Sequence, residues 1–200
     1  MRILAVSGSL RAGSHNTALL RAAIEAAPEG VEVELFDPAG IAELPLYDQD
    51  LDTAGAPEAV ARLREAWGSA DAILFATPEY NGSVPGGLKN AIDWASRPKF
   101  DSALTNKTVG VVGASTGQFG AMWAQQDLRK ILGIAGARVV GDGLPVARAH
   151  EGLPDLLHEQ LRGVLQTLAE AVAPDQVAAE KRGRAVSNTA AAPDPVTSLV

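Results

Sequence analysis

Between Gly8 and Asn16 the chain reads Gly-Ser-Leu-Arg-Ala-Gly-Ser-His-Asn, with two glycines, two hydroxyls, one amide and one permanent cation. An apolar run, Ile3 to Val6, precedes it and a helix-like stretch, Thr17 to Ala27, follows. That makes it a strand-to-helix turn. Such a turn aims unpaired backbone N–H groups and the positive end of a helix dipole at one point, which favours an anion. Gly8 and Gly13 let the backbone come close, and Arg11 can grip two phosphate oxygens as a fork. Ser9, Ser14 and Asn16 add hydrogen-bonding groups, so the stretch reads as a phosphate cradle.

Two better-known phosphate loops fit it poorly. The triphosphatase loop G-x-x-x-x-G-K-[ST] requires a lysine where Ser14 stands. The dinucleotide fingerprint G-x-G-x-x-G needs two glycines where Ser7-Gly8-Ser9 offers one. A monophosphate tail suits the turn better than either. The plain alternative is a Gly/Ser-rich connection without a ligand.

Two further loops carry similar residues: Pro78-Glu-Tyr-Asn-Gly-Ser-Val-Pro-Gly-Gly87, and Ala114-Ser-Thr-Gly-Gln-Phe-Gly120. Each follows a strand-like apolar run. Such runs recur at Arg2–Ser7, Val31–Phe36, Ala72–Thr77, Thr108–Gly113 and Arg138–Gly141, starting about 30 to 40 residues apart, the length of a βαβ unit. Four are nearly apolar throughout, as strands covered on both faces must be, and Val31-Glu-Val-Glu-Leu35 alternates like a half-exposed edge. Helical period marks the segments between them, at Leu19, Ala22, Ala23 and Ala26; at Val60, Leu63 and Trp67; and at Leu128, Ile131, Leu132 and Ala135. A long last face runs through Leu153, Leu157, Leu161, Val164, Leu168 and Val172. The expected architecture is α/β: a doubly wound five-stranded parallel sheet in the order 2-1-3-4-5, with helices on both faces. In that order strands one, three and four are neighbours, and ligands bind outside their carboxyl ends. All three loops therefore converge.

Four motifs in matching order, Gly8 to Asn16, Leu44-Pro-Leu-Tyr-Asp-Gln-Asp50, Pro78 to Ser83 and Pro85-Gly-Gly-Leu-Lys-Asn-Ala-Ile-Asp-Trp94, resemble the NADPH-dependent FMN reductase family, which includes quinone, chromate and azo reductases. The resemblance covers about residues 2 to 172. It implies a flavodoxin-like fold, FMN as cofactor, NADPH or NADH as co-substrate, and a dimer or tetramer of identical chains. By the same resemblance Ser9, Arg11, Ser14, Asn16 and Thr17 hold the FMN phosphate. Pro78, Glu79, Tyr80, Asn81 and Gly82 line the isoalloxazine, and Ser115, Thr116 and Gly117 close its other edge. The third loop matches more loosely than the first two.

The residues suit this task in their own right. A flat ring with one apolar and one polar end wants backbone N–H and C=O groups along an edge and a flat neighbour on a face, which Pro78 to Gly82 can supply. A flavin carries the hard chemistry, so the protein needs placement and electrostatics rather than an acid–base pair. Glu79 then reads as a backbone contributor or surface carboxylate, and Tyr80 either as a packing aromatic or as a neighbour of the flavin or nicotinamide. Asp37 opens Asp37-Pro-Ala-Gly40 and reads as a turn residue rather than a ribose-binding acid.

One competing motif is Gly113-Ala-Ser115-Thr-Gly117, which matches the G-x-S-x-G elbow of hydrolases, with Asp142 and His150 or His158 following in triad order. Its weakness is that it leaves the other two loops unexplained. A non-enzymatic flavodoxin-like electron carrier is the rival within flavin proteins, since a carrier needs no nicotinamide site.

Composition bounds the rest. Two hundred residues suit one domain, 1–173, and 46% apolar with 20% charged residues is ordinary for a globular protein. Residues 174–200, rich in Ala, Asp, Pro, Ser and Thr, read as a disordered tail whose Lys181, Arg182 and Arg184 are offset by Asp175, Glu180 and Asp194. A formal charge of −7 argues against nucleic acid as partner. No signal peptide or membrane-length apolar run stands out, so a cytoplasmic protein acting on a small-molecule acceptor is expected. With no cysteine and three separated histidines, no metal cluster is indicated. The apolar groups Leu44 to Tyr47, Trp94 with Phe100, and Phe119, Met122 and Trp123 are more than one small sheet easily covers and motivate the expected self-association, although for any single one of them packing inside the chain is the safer reading.

Overall fold

Alternate residues of the central strands face opposite ways, and this splits the interior into two cores. The computed structural model describes residues 1–152 and 154–172. In β1 (Arg2–Ser7), Ile3 and Ala5 face one layer while Leu4 and Val6 face the other. The same alternation runs through β3 (Ala72–Ala76), where Leu74 and Phe75 part to opposite sides. Because both faces are covered, these strands are nearly apolar throughout, as the sequence suggested. The first core is closed by α1 (His15–Glu25), through Leu19, Leu20 and Ala23, and by α7 (157–172), through Leu157, Leu161, Leu165 and Leu168. The second is closed by α4 (Glu58–Ser69), α5 (Gly86–Ala95) and α6 (Met122–Ile134). Gly110 lies in β4 (Thr108–Ala114), and a Cβ there would sit 3.3 Å from Leu168, so the missing side chain lets α7 lie close on the sheet.

The strands are parallel and pair in the order β2-β1-β3-β4-β5, with β2 spanning Glu32–Leu35 and β5 Arg138–Val139. This is the flavodoxin-like arrangement the sequence predicts, with one refinement at the edge. The fifth position is filled by two pieces, β5 and β6 (Pro145–Val146), both against the same edge of β4. Val140 N–H donates to Val109 O at 2.9 Å and Gly113 N–H to Leu144 O at 3.0 Å, and residues of one parity share one edge. Between the pieces, Gly141 and Gly143 take positive φ, 68° and 90°, which extended strand does not allow.

The stretch 37–56, which carries no apolar period in the sequence, contains two short helices, α2 (Ala39–Ala42) and α3 (Gln49–Gly55). Aspartates start both. Asp37 Oδ1 accepts from Ala39 N–H at 2.9 Å, the turn role expected of it, and Asp48 Oδ1 accepts from Asp50 N–H at 2.9 Å. Helices this short show no periodic signal, and burial of Ile41 and Leu44 in the second core holds α2 in place.

The apolar groups expected to favour self-association divide. Trp94 is fully buried within the single chain, its indole N–H donating to Pro45 O at 2.8 Å and its ring meeting Tyr47 edge-on. Leu44 is buried beside it, whereas Leu46, Phe100, Phe119 and Trp123 are exposed. Leu153 of the expected last face and the expected tail 174–200 lie outside the described residues. Among the described residues no helix is long and apolar enough to cross a membrane, and no cluster of His, Cys, Asp or Glu is placed to hold a metal ion.

Candidate functional site

Strands β1, β3 and β4 end side by side, and the three loops that follow them meet in a cleft of about 150 Å³. From the first loop it is lined by Ser9, Arg11, Ser14, His15 and Asn16; from the second by Pro78, Glu79 and Tyr80; from the third by Ala114, Ser115 and Thr116. Thr17, Asn81, Gly82 and Gly117 of the expected set do not line it. His15 does and was missed, because only the folded turn shows that this position faces inward.

The first loop is braced from within. Ser14 caps α1, its Oγ accepting from Asn16 N–H and Thr17 N–H at 3.2 Å each, which starts the helix two residues before the periodic stretch. Thr17 Oγ1 pairs with Ser7 Oγ at 2.9 Å. Asn16 grips the last residue of β4 twice: its Nδ2 donates to Ala114 O at 2.9 Å while its Oδ1 accepts from Ala114 N–H at 2.9 Å. Asn16 and Thr17, expected to face a ligand, thus also brace the strand ends. Both amide ends of Asn16 are committed to β4, and the Thr17 hydroxyl is committed to β1. A short sequence window cannot reveal that, since Ala114 lies 98 positions away.

What remains free in the cradle is more selective. Ser9 is only 3% exposed, yet among the described residues no group hydrogen-bonds its Oγ, which opens onto the cleft. Arg11 has no carboxylate partner among the described residues, and its Nη1 lies 3.2 Å from where a Cβ at Gly13 would stand, so glycine there leaves room for the guanidinium. Gly8 is needed for close approach: a Cβ on it would come within 2.8 Å of Leu88.

The second loop closes as a tight hairpin. Asn81 and Gly82 take φ of 53° and 73°, and Tyr80 and Ser83 exchange both backbone hydrogen bonds, at 3.0 and 3.1 Å. Positive φ at two successive central residues is the reason for Asn-Gly there. These two residues shape the loop rather than line the cleft, and they leave Tyr80 52% exposed. Glu79 Oε2 accepts from Ala124 N–H at 3.1 Å, in the first turn of α6, and Ser83 Oγ donates to Asp127 at 2.7 Å. Glu79 is thus a brace at a helix N-terminus, where a carboxylate is favoured.

The third loop is held by Gln125, 4% exposed, whose Nε2 donates to Gly120 O at 2.9 Å and whose Oε1 accepts from Leu144 N–H at 3.2 Å. It thereby ties the divided sheet edge to the loop. Gly120 is forced: its φ is +57° and a Cβ would lie 2.6 Å from the backbone of Pro145 and Val146. Gly117 contributes a carbonyl, which accepts from Arg148 N–H at 3.0 Å.

The hydrolase motif finds no triad. His158 faces Glu25 at 3.3 Å and His150 faces Glu151 at 3.8 Å, so neither is paired with Ser115. A larger groove of about 740 Å³ exists elsewhere, between α3 and the outward faces of α5 and α6, and none of the three loops lines it.

Comparison with known proteins agrees with this geometry. A model of the NADPH-dependent FMN reductase family matches residues 1–151. The NAD(P)H-dependent FMN reductase of Pseudomonas aeruginosa is 51% identical over 132 residues, 66% of this chain and 69% of that protein. A quinone reductase of Escherichia coli is 42% identical over 141 residues, 70% of this chain and 73% of that one. Among solved structures, the flavoenzyme NAD(P)H:(acceptor) oxidoreductase FerB from Paracoccus denitrificans superposes with a TM-score of 0.72 at 33% identity, over 85% of this chain and 98% of that one. The chain belongs to the NADPH-dependent FMN reductase family, and is an oxidoreductase that works with FMN and NAD(P)H.

Proposed function

We propose that this protein takes electrons from NADPH or NADH and delivers them to a small acceptor, with a quinone or free flavin favoured over an azo compound or chromate, the two substrates using one exposed face of the cofactor in turn. The observation that carries the reading is the cleft where three strand ends meet, with unpartnered polar groups at one end and an open aromatic rim at the other. A phosphate monoester fits the first end: the Ser9 hydroxyl lacks a partner among the described residues, Arg11 is free to fork onto two oxygens, and Ser14 fixes the helix N-terminus behind them. Bound there, FMN supplies the hydride acceptance from reduced nicotinamide and the return of electrons to the acceptor.

The remaining residues position and shield. Pro78, Glu79 and Tyr80 would hold one edge of the ring, and Ser115 and Thr116 the other, with Asn81 and Gly117 shaping the loops behind them. Tyr80, exposed at the rim, packs beside whichever flat substrate occupies the open face. Quinones are flat, as is the nicotinamide, and the E. coli relative named a quinone reductase supports that acceptor class.

A 150 Å³ cleft is small beside the roughly 300–1,000 Å³ usual for small-molecule sites, so a single chain encloses only part of the cofactor. Exposed Leu46, Phe100, Phe119 and Trp123 supply apolar surface for a homodimer or homotetramer that completes the enclosure. The protein works in the cytoplasm in this reading.

Steady-state kinetics test the central claim. Rates against NADPH at several benzoquinone concentrations should give parallel double-reciprocal lines. Intersecting lines would mean both substrates bind together, and no steady NAD(P)H oxidation would leave an electron carrier. Light scattering during gel filtration tests the assembly, since an FMN-loaded species at the 20.7 kDa chain mass would refute it.

A further inference from the structure

At its outer edge β4 lacks a pairing partner for one residue. Val140 N–H donates to Val109 O at 2.9 Å and Gly113 N–H to Leu144 O at 3.0 Å. In an unbroken parallel ladder residue 142 would meet Gly113 where Leu144 does, so the edge slips by two residues between these bonds. The residue bracketed is Val111, whose N–H and C=O share this edge with those of Val109 and Gly113. No described residue hydrogen-bonds either group across the gap, although Val111 is only 1% exposed.

A cavity of about 340 Å³ lies against this gap, between α7 and the segment 140–144. Val111 lines it, yet the Val111 side chain belongs to the second core, while Val140, Leu144, Val164 and Leu168, which wall the cavity, pack on the first. Val111 therefore meets the cavity through its backbone. A Cβ on Gly143 would stand 3.5 Å from Val111 O, so glycine there leaves the carbonyl uncovered. Buried backbone groups are almost always paired. A water takes up about 30 Å³, so this space is some tenfold larger than one bridging water needs, and it falls in the range of roughly 300–1,000 Å³ usual for small-molecule sites.

We propose that this cavity is a second ligand site, for a small flat molecule whose ring carries an N–H beside a C=O, as in a lactam or a cyclic imide. The ligand N–H donates to Val111 O and its C=O accepts from Val111 N–H, the two bonds that residues 142 and 140 would make in an unbroken edge. The N–H and C=O of one extended residue lie side by side, so a single cis amide spans both. The ring rests on the four apolar side chains. Asp142 lines the cavity and has no cation paired with it among the described residues, so it selects a neutral ligand over an acid. The site stands apart from the cofactor reading, since it shares no lining residue with the cleft at the strand ends.

Amide resonances of the protein saturated with FMN, titrated with isoquinolin-1-one and with its N-methyl derivative, test this. The lactam should shift Val111 and Gly143 saturably, with a dissociation constant near or below about 1 mM. The N-methyl derivative should bind roughly tenfold more weakly, because it cannot donate to Val111 O. Gly163 of α7 also lines the cavity, and a Cβ there meets nothing within 4 Å, so Gly163→Leu fills the space and should abolish the shifts. Equal affinity of the two compounds overturns the proposal. Shifts confined to Tyr80, Ser115 and their neighbours also overturn it, placing the lactam at the flavin cleft instead. No saturable shift overturns it too and leaves water to satisfy Val111. Should Gly163→Leu fail to fold, hydrogen exchange in the natural protein decides. Val111 N–H should exchange faster than Gly113 N–H and slow when the lactam is added. A rate equal to that of Gly113, or one that the lactam leaves unchanged, overturns the site.

Discussion

The two ends of the cleft are built on opposite plans. At the end built by the first loop, which we propose receives the phosphate, the bracing groups are engaged before any ligand arrives: Ser14 to its helix, Thr17 to Ser7, Asn16 to Ala114. At the other end, which we propose receives the ring, the loops are braced from outside the cleft, by Glu79 and Ser83 to α6 and by Gln125 and Arg148 to the third loop, and exposed aromatics stand there, Tyr80 and the edge-on pair Phe119–Trp123 at 4.9 Å. The closed end suits permanent retention of one ligand, because preorganised donors cost nothing further on binding. The open end suits passage of two substrates. Affinity and turnover are thereby assigned to different residues, and that division can be broken experimentally.

The largest effect is expected from Asn16→Ala. It removes one side chain but strands the N–H and the C=O of Ala114, and each unsatisfied buried group costs about 1–3 kcal/mol. Stability of the flavin-free protein should fall by about 2–4 kcal/mol, seen as a melting temperature lower by roughly 5–15 °C. Were Asn16 only a phosphate ligand, the flavin-free protein would melt unchanged. Arg11→Ala should do the reverse. The fold stands, because no described residue depends on this side chain, while the loss of charge-assisted bonds of about 1.5–3 kcal/mol weakens FMN binding roughly 10- to 150-fold. Unchanged affinity in a fluorescence titration would remove Arg11 from the site. Tyr80→Ala is the gentlest. Its side chain is half in solvent, so stability should move by less than about 0.5 kcal/mol and FMN affinity by less than about twofold. The Michaelis constant for NADPH or the quinone should rise several-fold, and a Tyr80→Ala enzyme with unaltered steady-state constants would place substrates elsewhere.

The three local signals that organise the fold were legible without coordinates: apolar strands, periodic helices, and Gly-rich turns at strand ends. Each depends on a repeat of two or 3.6 residues or on the φ demanded of a glycine, and such properties belong to the residue and its near neighbours. Thus β1 with the turn after it, the apolar faces of α1 and α4, and the loop after β3 follow from short windows. The strand order 2-1-3-4-5 followed as well, since crossovers of βαβ length admit few arrangements.

Tertiary structure alone decided which polar side chains are free. Asn16 and Ser9 look alike as cradle residues in sequence, but Ala114 claims the first and nothing among the described residues claims the second. The same holds for Trp94, whose burial under Pro45 and Tyr47 no short window settles, and for His15, whose place in the cleft lining exists only once the loop after β3 stands opposite. Hydrogen-bond partners and burial are set by residues tens of positions apart, so they arise only when the sheet brings strand ends together. The sequence by itself determined where an anion and a flat ring can be received; the folded chain determined which atoms are left over to receive them.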